Sequence, residues 1–290
     1  MECDIVKPSE GLIKEDVRHL KEWMLKQPHL PIIDDDEWLT TFLYQNKLSL
    51  EKTKCKLEGY YSLRSKYPDL LKNRDPLAPE LLLAKKAVIY TVSNRLTRDG
   101  CRLIQAQMSP DPRCIWNMSY HSKRLFMILD MLYLERDRGI SYVLIVDFKY
   151  HRYQHFLKEL AGLNVTAEIL NDAYTERTSA IHYINAPYYM DKMLNAILPY
   201  FPKKYADRVF IHSASKSKLL EMVDTDVLCR DFGGNGPSLA DYDDYTQQKL
   251  LQYKRWFKEQ DSICSNEALR CRDKRQMEDM KISFRKLDID

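Results

Sequence analysis

The fold is decided by the stretch Ala180-Ile181-His182-Tyr183-Ile184-Asn185 together with Arg208-Val209-Phe210-Ile211-His212, which follows it after one helical segment. Both stretches are short and rich in β-branched and aromatic residues, which predicts two strands. Residues 188–201, between them, have the apolar spacing of an amphipathic helix. Two strands joined by a helix predict a crossover unit with parallel pairing. We therefore predict an α/β fold.

The residues before this unit repeat the alternation of strands and helices. Tyr142-Val143-Leu144-Ile145-Val146-Asp147 is almost entirely apolar, as expected for a strand buried on both faces. Residues 118–138 and 153–174 have helical apolar spacing. Two further strands, at 88–92 and 102–106, flank an Asp-Gly pair, which predicts a β-hairpin. The predicted sheet is therefore mostly parallel and covered by helices.

The first part of the chain predicts helices and no strands. Residues 11–27 have apolar side chains on one helical face, the acids 34–37 are placed to cap a second helix, and Ser49 is placed to cap a third. Residues 73–79 have the composition of a linker. We expect an N-terminal helical domain (1–75), an α/β domain (76–238) and a C-terminal helical, charged extension (239–290). Its end, from Arg270 onward, is expected to be a solvated helix or a frayed tail.

The totals exclude several classes of protein. Lys and Arg number 45 against 42 Asp and Glu, whereas a nucleic-acid binder usually has a strong basic excess. The seven cysteines form no C-x-x-C pair, which indicates reduced thiols. No apolar stretch approaches the roughly 20 residues that span a bilayer, and the acidic start lacks the apolar core of a signal peptide. We expect a soluble, cytoplasmic protein.

No catalytic or cofactor-binding motif is present. The sequence lacks G-x-G-x-x-G, the P-loop, G-x-S-x-G and H-E-x-x-H. His151 and His155 are spaced to share a metal on a helix, but no third ligand lies nearby, which favours solvent-facing polar residues. His182 and His212 are either acid–base groups or, as we favour, hydrogen-bonded core residues. Asp147 ends a buried strand, where it either meets a ligand or, as we favour, caps the next loop. We expect no enzyme activity, no cofactor and no metal.

Four motifs, in order along the chain, resemble the CRAL-TRIO lipid-binding domain. They are Ile181-His182-Tyr183-Ile184-Asn185-Ala186-Pro187, Ile197-Leu198-Pro199-Tyr200-Phe201, Val209-Phe210-Ile211-His212 and Phe232-Gly233-Gly234. Phe232 stands where the family usually has tyrosine. The helical region 11–72, with Tyr60-Tyr61 in its last helix, resembles the family's N-terminal domain. The chain is most similar to the animal branch that contains tocopherol-transfer and retinaldehyde-binding proteins.

The resemblance implies a function. It implies a cavity between the sheet and the helix of residues 187–201, which serves as a mobile gate. It also implies a carrier that binds one hydrophobic lipid, such as a tocopherol, retinoid, carotenoid or phospholipid, and transfers it between membranes during transient peripheral association. A membrane adaptor that senses phosphoinositides without carrying cargo is the alternative. An enzyme acting on a hydrophobic substrate would need a nucleophile, metal or cofactor, and the sequence offers none.

The candidate cavity walls come from strand alternation combined with the resemblance. Alternate residues of a strand share one face, so the strand at 142–147 and the next one each present a set of side chains to the cavity. Matching to the family adds positions on the gate and on two other helices. The predicted wall consists of Tyr142, Leu144, Val146, Ile181, Tyr183, Ile169, Tyr174, Met190, Leu194, Ile197, Ile128 and Leu132.

The resemblance further implies a basic cleft for phosphoinositide head groups at Arg177, Lys204 and Arg208. Ser179 departs from this pattern, because the family has a basic residue there. Residues 41–46 depart as well, since Thr-Phe-Leu-Tyr-Gln-Asn replaces an arginine-rich segment. Coupling of lipid release to phosphoinositides is therefore a hypothesis for this chain.

Overall fold

The computed structural model describes residues 10–138, 140–175, 177–212 and 217–271. The chain forms a mixed five-stranded sheet, with helices before it, between its strands and after it. The strands are β1 (Val88–Val92), β2 (Cys101–Met108), β3 (Ser141–Asp147), β4 (Thr178–Ile184) and β5 (Val209–His212). The helices are α1 (Glu10–Leu25), α2 (Asp36–Gln45), α3 (Leu50–Lys66), α4 (Pro68–Leu71), α5 (Pro79–Ala87), α6 (Met118–Leu134), α7 (Tyr153–Leu160), α8 (Leu163–Ala173), α9 (Met190–Ile197), α10 (Ser217–Met222), α11 (Leu239–Gln252) and α12 (Lys254–Glu259).

The sheet has the predicted topology. The strand order is β1-β2-β3-β4-β5; β1 pairs antiparallel with β2, and all other neighbours are parallel. Each parallel pair is joined by at least one helix, as crossover connections require. The expectation of an α/β fold with a mostly parallel sheet is confirmed.

The two faces of the sheet are covered by different elements. One face packs against α6, α8 and α9, so that Leu144 lies against the largest apolar cluster and Val146 lies beside α9. The other face presents Ile145 to α10, the loop 227–232 and α11. Because neighbouring side chains of a strand point to opposite faces, the apolar sequence of β3 supplies both layers.

The N-terminal helices are capped as the sequence predicts. The Asp35 carboxylate accepts a hydrogen bond from the backbone N–H of Trp38, and Ser49 accepts one from that of Lys52. These helices share one apolar cluster with α6, α8, α11 and α12. Helix α3 lies close to α8 at Gly59, where an added Cβ would lie 2.2 Å from the Asp172 carbonyl oxygen. The three-region division of the chain stays a prediction.

A buried charge network joins four parts of the chain. The Asp130 carboxylate on α6 is fully buried and accepts hydrogen bonds from the hydroxyls of Tyr60 and Tyr174, each at 2.9 Å. It also accepts from Arg64 Nη2 at 3.0 Å and from Arg74 Nη1 at 2.6 Å. Burial raises the pKa of both phenols, so they remain protonated donors. The network thus fixes α3 and the segment after α4 to α6 and the end of α8.

Some boundaries differ from the prediction. The helical stretch 153–174 is divided into α7 and α8 at Gly162, where a Cβ would meet Met118 Cγ at 2.8 Å. The stretch 188–201 forms α9 and then a 3-10 turn, Leu198–Tyr200, at Pro199. The tail expected from Arg270 onward falls almost entirely outside the described residues. Within the described ranges, no helix is long and apolar enough to cross a membrane.

Candidate lipid-binding cavity

A cavity of about 220 Å³ lies between the sheet and α9. Its floor is formed by Tyr90, Ala106, Val146 and Tyr183, which come from four adjacent strands. The register aligns Tyr90 with Ala106, Ala106 with Val146, and Val146 with Tyr183. These side chains therefore share one face, as the alternation of β3 and β4 predicts.

Helix α9 forms the lid of this cavity. Met190, Met193, Leu194 and Ile197 recur at helical spacing and all line the cavity. Asp191 and the next residue, on the opposite side, are exposed. The amphipathic pattern of the sequence thus directs the apolar side of α9 toward the sheet.

The helical wall comes from the N-terminal ends of α6 and α8. Ser122 and Leu125 of α6 and Leu163 and Thr166 of α8 line the cavity. The sequence predicted wall residues on the same two helices, but at positions one or two turns closer to the C-terminal end of each helix. Those later turns pack against the N-terminal helices: the Tyr174 ring, for example, lies 5.8 Å from that of Tyr60.

The predicted wall residues therefore divide into two groups. Val146, Tyr183, Met190, Leu194 and Ile197 line the cavity. The remaining positions lie outside the cavity lining, mostly in or against the cluster shared with the N-terminal helices, and their contact with a ligand stays a prediction: Ile128, Leu132, Tyr142, Leu144, Ile169, Tyr174 and Ile181.

Most polar side chains of the cavity wall bond to one another. The hydroxyls of Ser122 and Thr166 are 2.8 Å apart. Gln107 Nε2 donates to Asp147 Oδ2 at 2.6 Å. Asp147 Oδ1 also accepts from the backbone N–H of Lys149, at 2.9 Å, which confirms its favoured role of capping the loop after β3. These bonds join four of the polar residues of the wall in two pairs.

Two aromatic residues of the wall differ from this pattern. The rings of Trp116 and His121 are stacked, with centroids 4.1 Å apart and planes inclined by 16°. His121 is 3% exposed, and among the described residues neither of its ring nitrogens has a hydrogen-bond partner; the same holds for Trp116 Nε1. Burial lowers the pKa of His121 to about 3, so its ring is neutral at physiological pH. Sequence patterns gave no signal for this pair.

His151 corrects the expectation of a solvent-facing residue. Its side chain is only 4% exposed, because it follows β3 and turns into the cavity wall instead of lying on a helix. Its Nδ1 lies 2.8 Å from the Tyr189 hydroxyl, and its Nε2 lies 3.1 Å from Glu159 Oε1. This link joins the residue before α9 to α7. Among the described residues, no group of three metal-ligating side chains is present.

The other histidine pair lies in the core, as expected. His182 Nδ1 and His212 Nε2 are 2.9 Å apart across β4 and β5, and both side chains are buried. Burial lowers the pKa of His182 to about 4, and repulsion between the two rings when both are protonated adds to this effect. The pair therefore favours the neutral state and holds the edge strand.

The predicted basic residues lie away from the cavity. Arg177 precedes β4, at the opposite end of the strand from the cavity residue Tyr183, and Arg208 precedes β5, which is not part of the cavity lining. Arg208 donates to the Thr178 carbonyl, and exposed Lys204 lies over the Tyr205 ring. Ser179 donates to a carbonyl of β3. Their role in phosphoinositide binding stays a prediction.

Comparison with known protein families gives two matches in this chain. Residues 114–234 match the CRAL/TRIO domain family, and residues 9–81 match a second family, described as "Pinta-like, UBA domain". The first range contains α6, β3, α7, α8, β4, α9 and β5, and thus most of the cavity wall. This protein carries a CRAL/TRIO domain.

Animal CRAL/TRIO proteins are among its relatives along most of the chain. The chain is 23% identical to the human protein named "Alpha-tocopherol transfer protein-like" over 248 residues, which covers 80% of this chain and 71% of that protein. It is 20% identical to mouse "Clavesin-2" over 272 residues, which covers 89% and 83%. A solved structure titled "Crystal structure of Sfh5" aligns at 12% identity over 85% of this chain and 99% of that one, with a TM-score of 0.49.

Proposed function

We propose that this protein is a carrier that encloses one hydrophobic lipid in the cavity between the sheet and α9 and transfers it between membranes. The observation that carries the proposal is this cavity, because its floor and lid are built from apolar and aromatic side chains and because Val146, Tyr183 and α9 lie in the region that matches the CRAL/TRIO domain. Such a site binds by removing apolar surface from water, at about 25 cal/mol per Å². The CRAL/TRIO family consists of lipid-binding transfer proteins, and the name of the human relative refers to tocopherol transfer.

The cavity is small for such a cargo. Its volume of about 220 Å³ lies below the roughly 300–1,000 Å³ of ligand pockets. A long lipid therefore requires α9 to move outward or the neighbouring side chains to repack. The buried side chains of α9 pack with Phe148, Phe156 and Tyr189 in a small apolar cluster that is separate from the main core. Because α9 is not packed into the main core, its movement as a gate is favoured.

Exposed apolar side chains lie beside the gate. Tyr188 is 92% exposed and packs edge-on against Tyr189, whose ring also contacts exposed Tyr153 of α7. Leu157 and Leu160 are exposed on the same helix at helical spacing from Tyr153. A surface of this kind suits insertion at a membrane interface, where apolar side chains gain lipid contacts. We propose that this surface docks on membranes while the gate opens.

The cargo can be identified by mass spectrometry of the organic extract of the purified protein, combined with native mass spectrometry. One apolar species at a one-to-one ratio is expected. Ala106→Phe, which fills the cavity floor, should abolish retention and intervesicle transfer of that species, whereas Ala206→Phe, at an exposed position, should preserve both. If the purified protein is empty and takes up no tocopherol, retinoid or phospholipid, the adaptor function would replace the carrier.

Phosphoinositide-coupled release is a further element of the proposal. Exposed Lys204 lies four residues before Arg208, in the segment that connects the gate to β5. Lys204→Ala combined with Arg208→Ala should weaken binding to phosphatidylcholine vesicles containing a phosphoinositide at low salt, since each lost cation removes attraction to anionic lipid. Arg255→Ala with Lys258→Ala, on α12, is the matched control. Unchanged binding of the first variant would remove the coupling and leave the carrier function intact.

A further inference from the structure

Among the described residues of the cavity wall, the buried polar atoms that lack a hydrogen-bond partner all lie at one place. That place is the stacked pair Trp116 and His121, with Trp116 Nε1 and both nitrogens of His121 unpartnered. A buried polar group without a partner is costly because it has lost its hydrogen bonds to water, so such groups are rare in folded proteins. The pair therefore offers hydrogen bonds to a group that enters the cavity.

The chemistry of the pair limits what that group is. A tryptophan N–H is a donor only, and a neutral imidazole has one donor and one acceptor nitrogen. A carbonyl or carboxylate only accepts, so it can bond to His121 only through the protonated ring nitrogen. A hydroxyl both accepts and donates, so it can accept from the Trp116 N–H and bond to a His121 nitrogen in either tautomer of the ring. In addition, the Glu159 carboxylate in the same wall disfavours an anionic ligand.

We infer that Trp116 and His121 form the polar anchor of the cavity and that the cargo is a lipid alcohol whose hydroxyl bonds to this pair. The inference rests on the proposed carrier function and adds the chemical class of the cargo. The apolar side chains Leu125, Met190 and Leu194 of the same wall match the hydrocarbon part of such a molecule. The hydroxyl lies at the Trp116–His121 end, and the hydrocarbon extends beneath α9.

The test compares 1-octanol with n-octane, which differ only in the hydroxyl, by equilibrium dialysis and gas chromatography. Wild-type protein should bind 1-octanol about tenfold more tightly, the effect of one net hydrogen bond of about 1.4 kcal/mol. His121→Phe and Trp116→Phe keep an aromatic ring but remove polar atoms, so each should reduce this preference and the two together should abolish it. Leu125→Met, a volume-conserving change on the same helix, should affect both probes alike.

A second measurement does not depend on the variants. The Trp116 indole N–H signal in ¹⁵N-resolved NMR should shift downfield with 1-octanol and not with n-octane. Equal binding of both probes, with no such shift, would mean that the pair bonds to water only, and it would overturn the inference while leaving the carrier function in place. If neither probe binds, the carrier function itself fails, and the inference fails with it.

Discussion

Replacing Asp130 with asparagine should strongly destabilise the fold. Among the residues that the structure describes, the Asp130 carboxylate is the single anion that pairs with Arg64 and Arg74, and all three side chains are at most 2% exposed. Asparagine keeps the size of the side chain but removes its charge. Two guanidinium groups would then be buried without a counterion, and the hydroxyls of Tyr60 and Tyr174 would share a weaker acceptor.

The expected loss follows from the energetics of buried ion pairs. Removal of one partner of a buried pair costs about 3–5 kcal/mol, because the remaining charge stays desolvated. Here two cations lose the same partner, so we expect a loss near 5 kcal/mol. That is a large part of the total of about 5–15 kcal/mol that stabilises a typical domain.

Equilibrium unfolding in urea, followed by far- and near-ultraviolet circular dichroism, measures this loss. Glu259→Gln, which breaks the exposed pair with Arg255, is the control and should change stability by no more than about 0.5 kcal/mol. Adding Arg74→Met to Asp130→Asn should recover part of the loss, since it removes one uncompensated cation. A cost below about 1 kcal/mol for Asp130→Asn with an unchanged m-value would refute this account of the network.

Three further changes test other parts of the structure. Gly59→Ala should destabilise the protein by about 1–3 kcal/mol in urea unfolding, because its Cβ would collide with a carbonyl of α8; Gly11→Ala, which has open space, should not destabilise it. The stability of the wild type should fall as pH decreases from 6.5 to about 4, since the unfolded chain binds a proton that buried His182 resists, and His182→Phe should flatten the pH profile in this window. Tyr189→Phe removes the hydroxyl that bonds to His151, so the gate should open more easily and 1-octanol should leave about fivefold faster in stopped-flow measurements, whereas Tyr188→Phe should leave the rate unchanged.

Local sequence patterns were sufficient for the elements of the fold and for the faces they present. The alternation in β3 and β4 predicts that Val146 and Tyr183 share a face, and both lie on the cavity floor. The spacing of Met190, Leu194 and Ile197 predicts the side of α9 that forms the lid. These predictions succeed because side-chain direction repeats with the period of the strand or helix, a property of neighbouring residues alone.

The tertiary structure decided where along those faces the cavity lies. Ile128 and Leu132 are on the correct side of α6 but fall in the half that packs with Phe42 and Tyr60 from the N-terminal helices. Periodicity specifies a face and not a position along it, because that position depends on which distant segments occupy the rest of the face.

The same distinction explains the polar residues of the site. The sequence by itself determined an α/β fold, its crossovers and an amphipathic lid, since each of these follows from short-range spacing. Only the tertiary structure buried His151, stacked His121 on Trp116 and placed Asp130 between two arginines. The physical reason is that burial and hydrogen bonding depend on partners many residues away, and no local pattern in this sequence encodes which partners will meet.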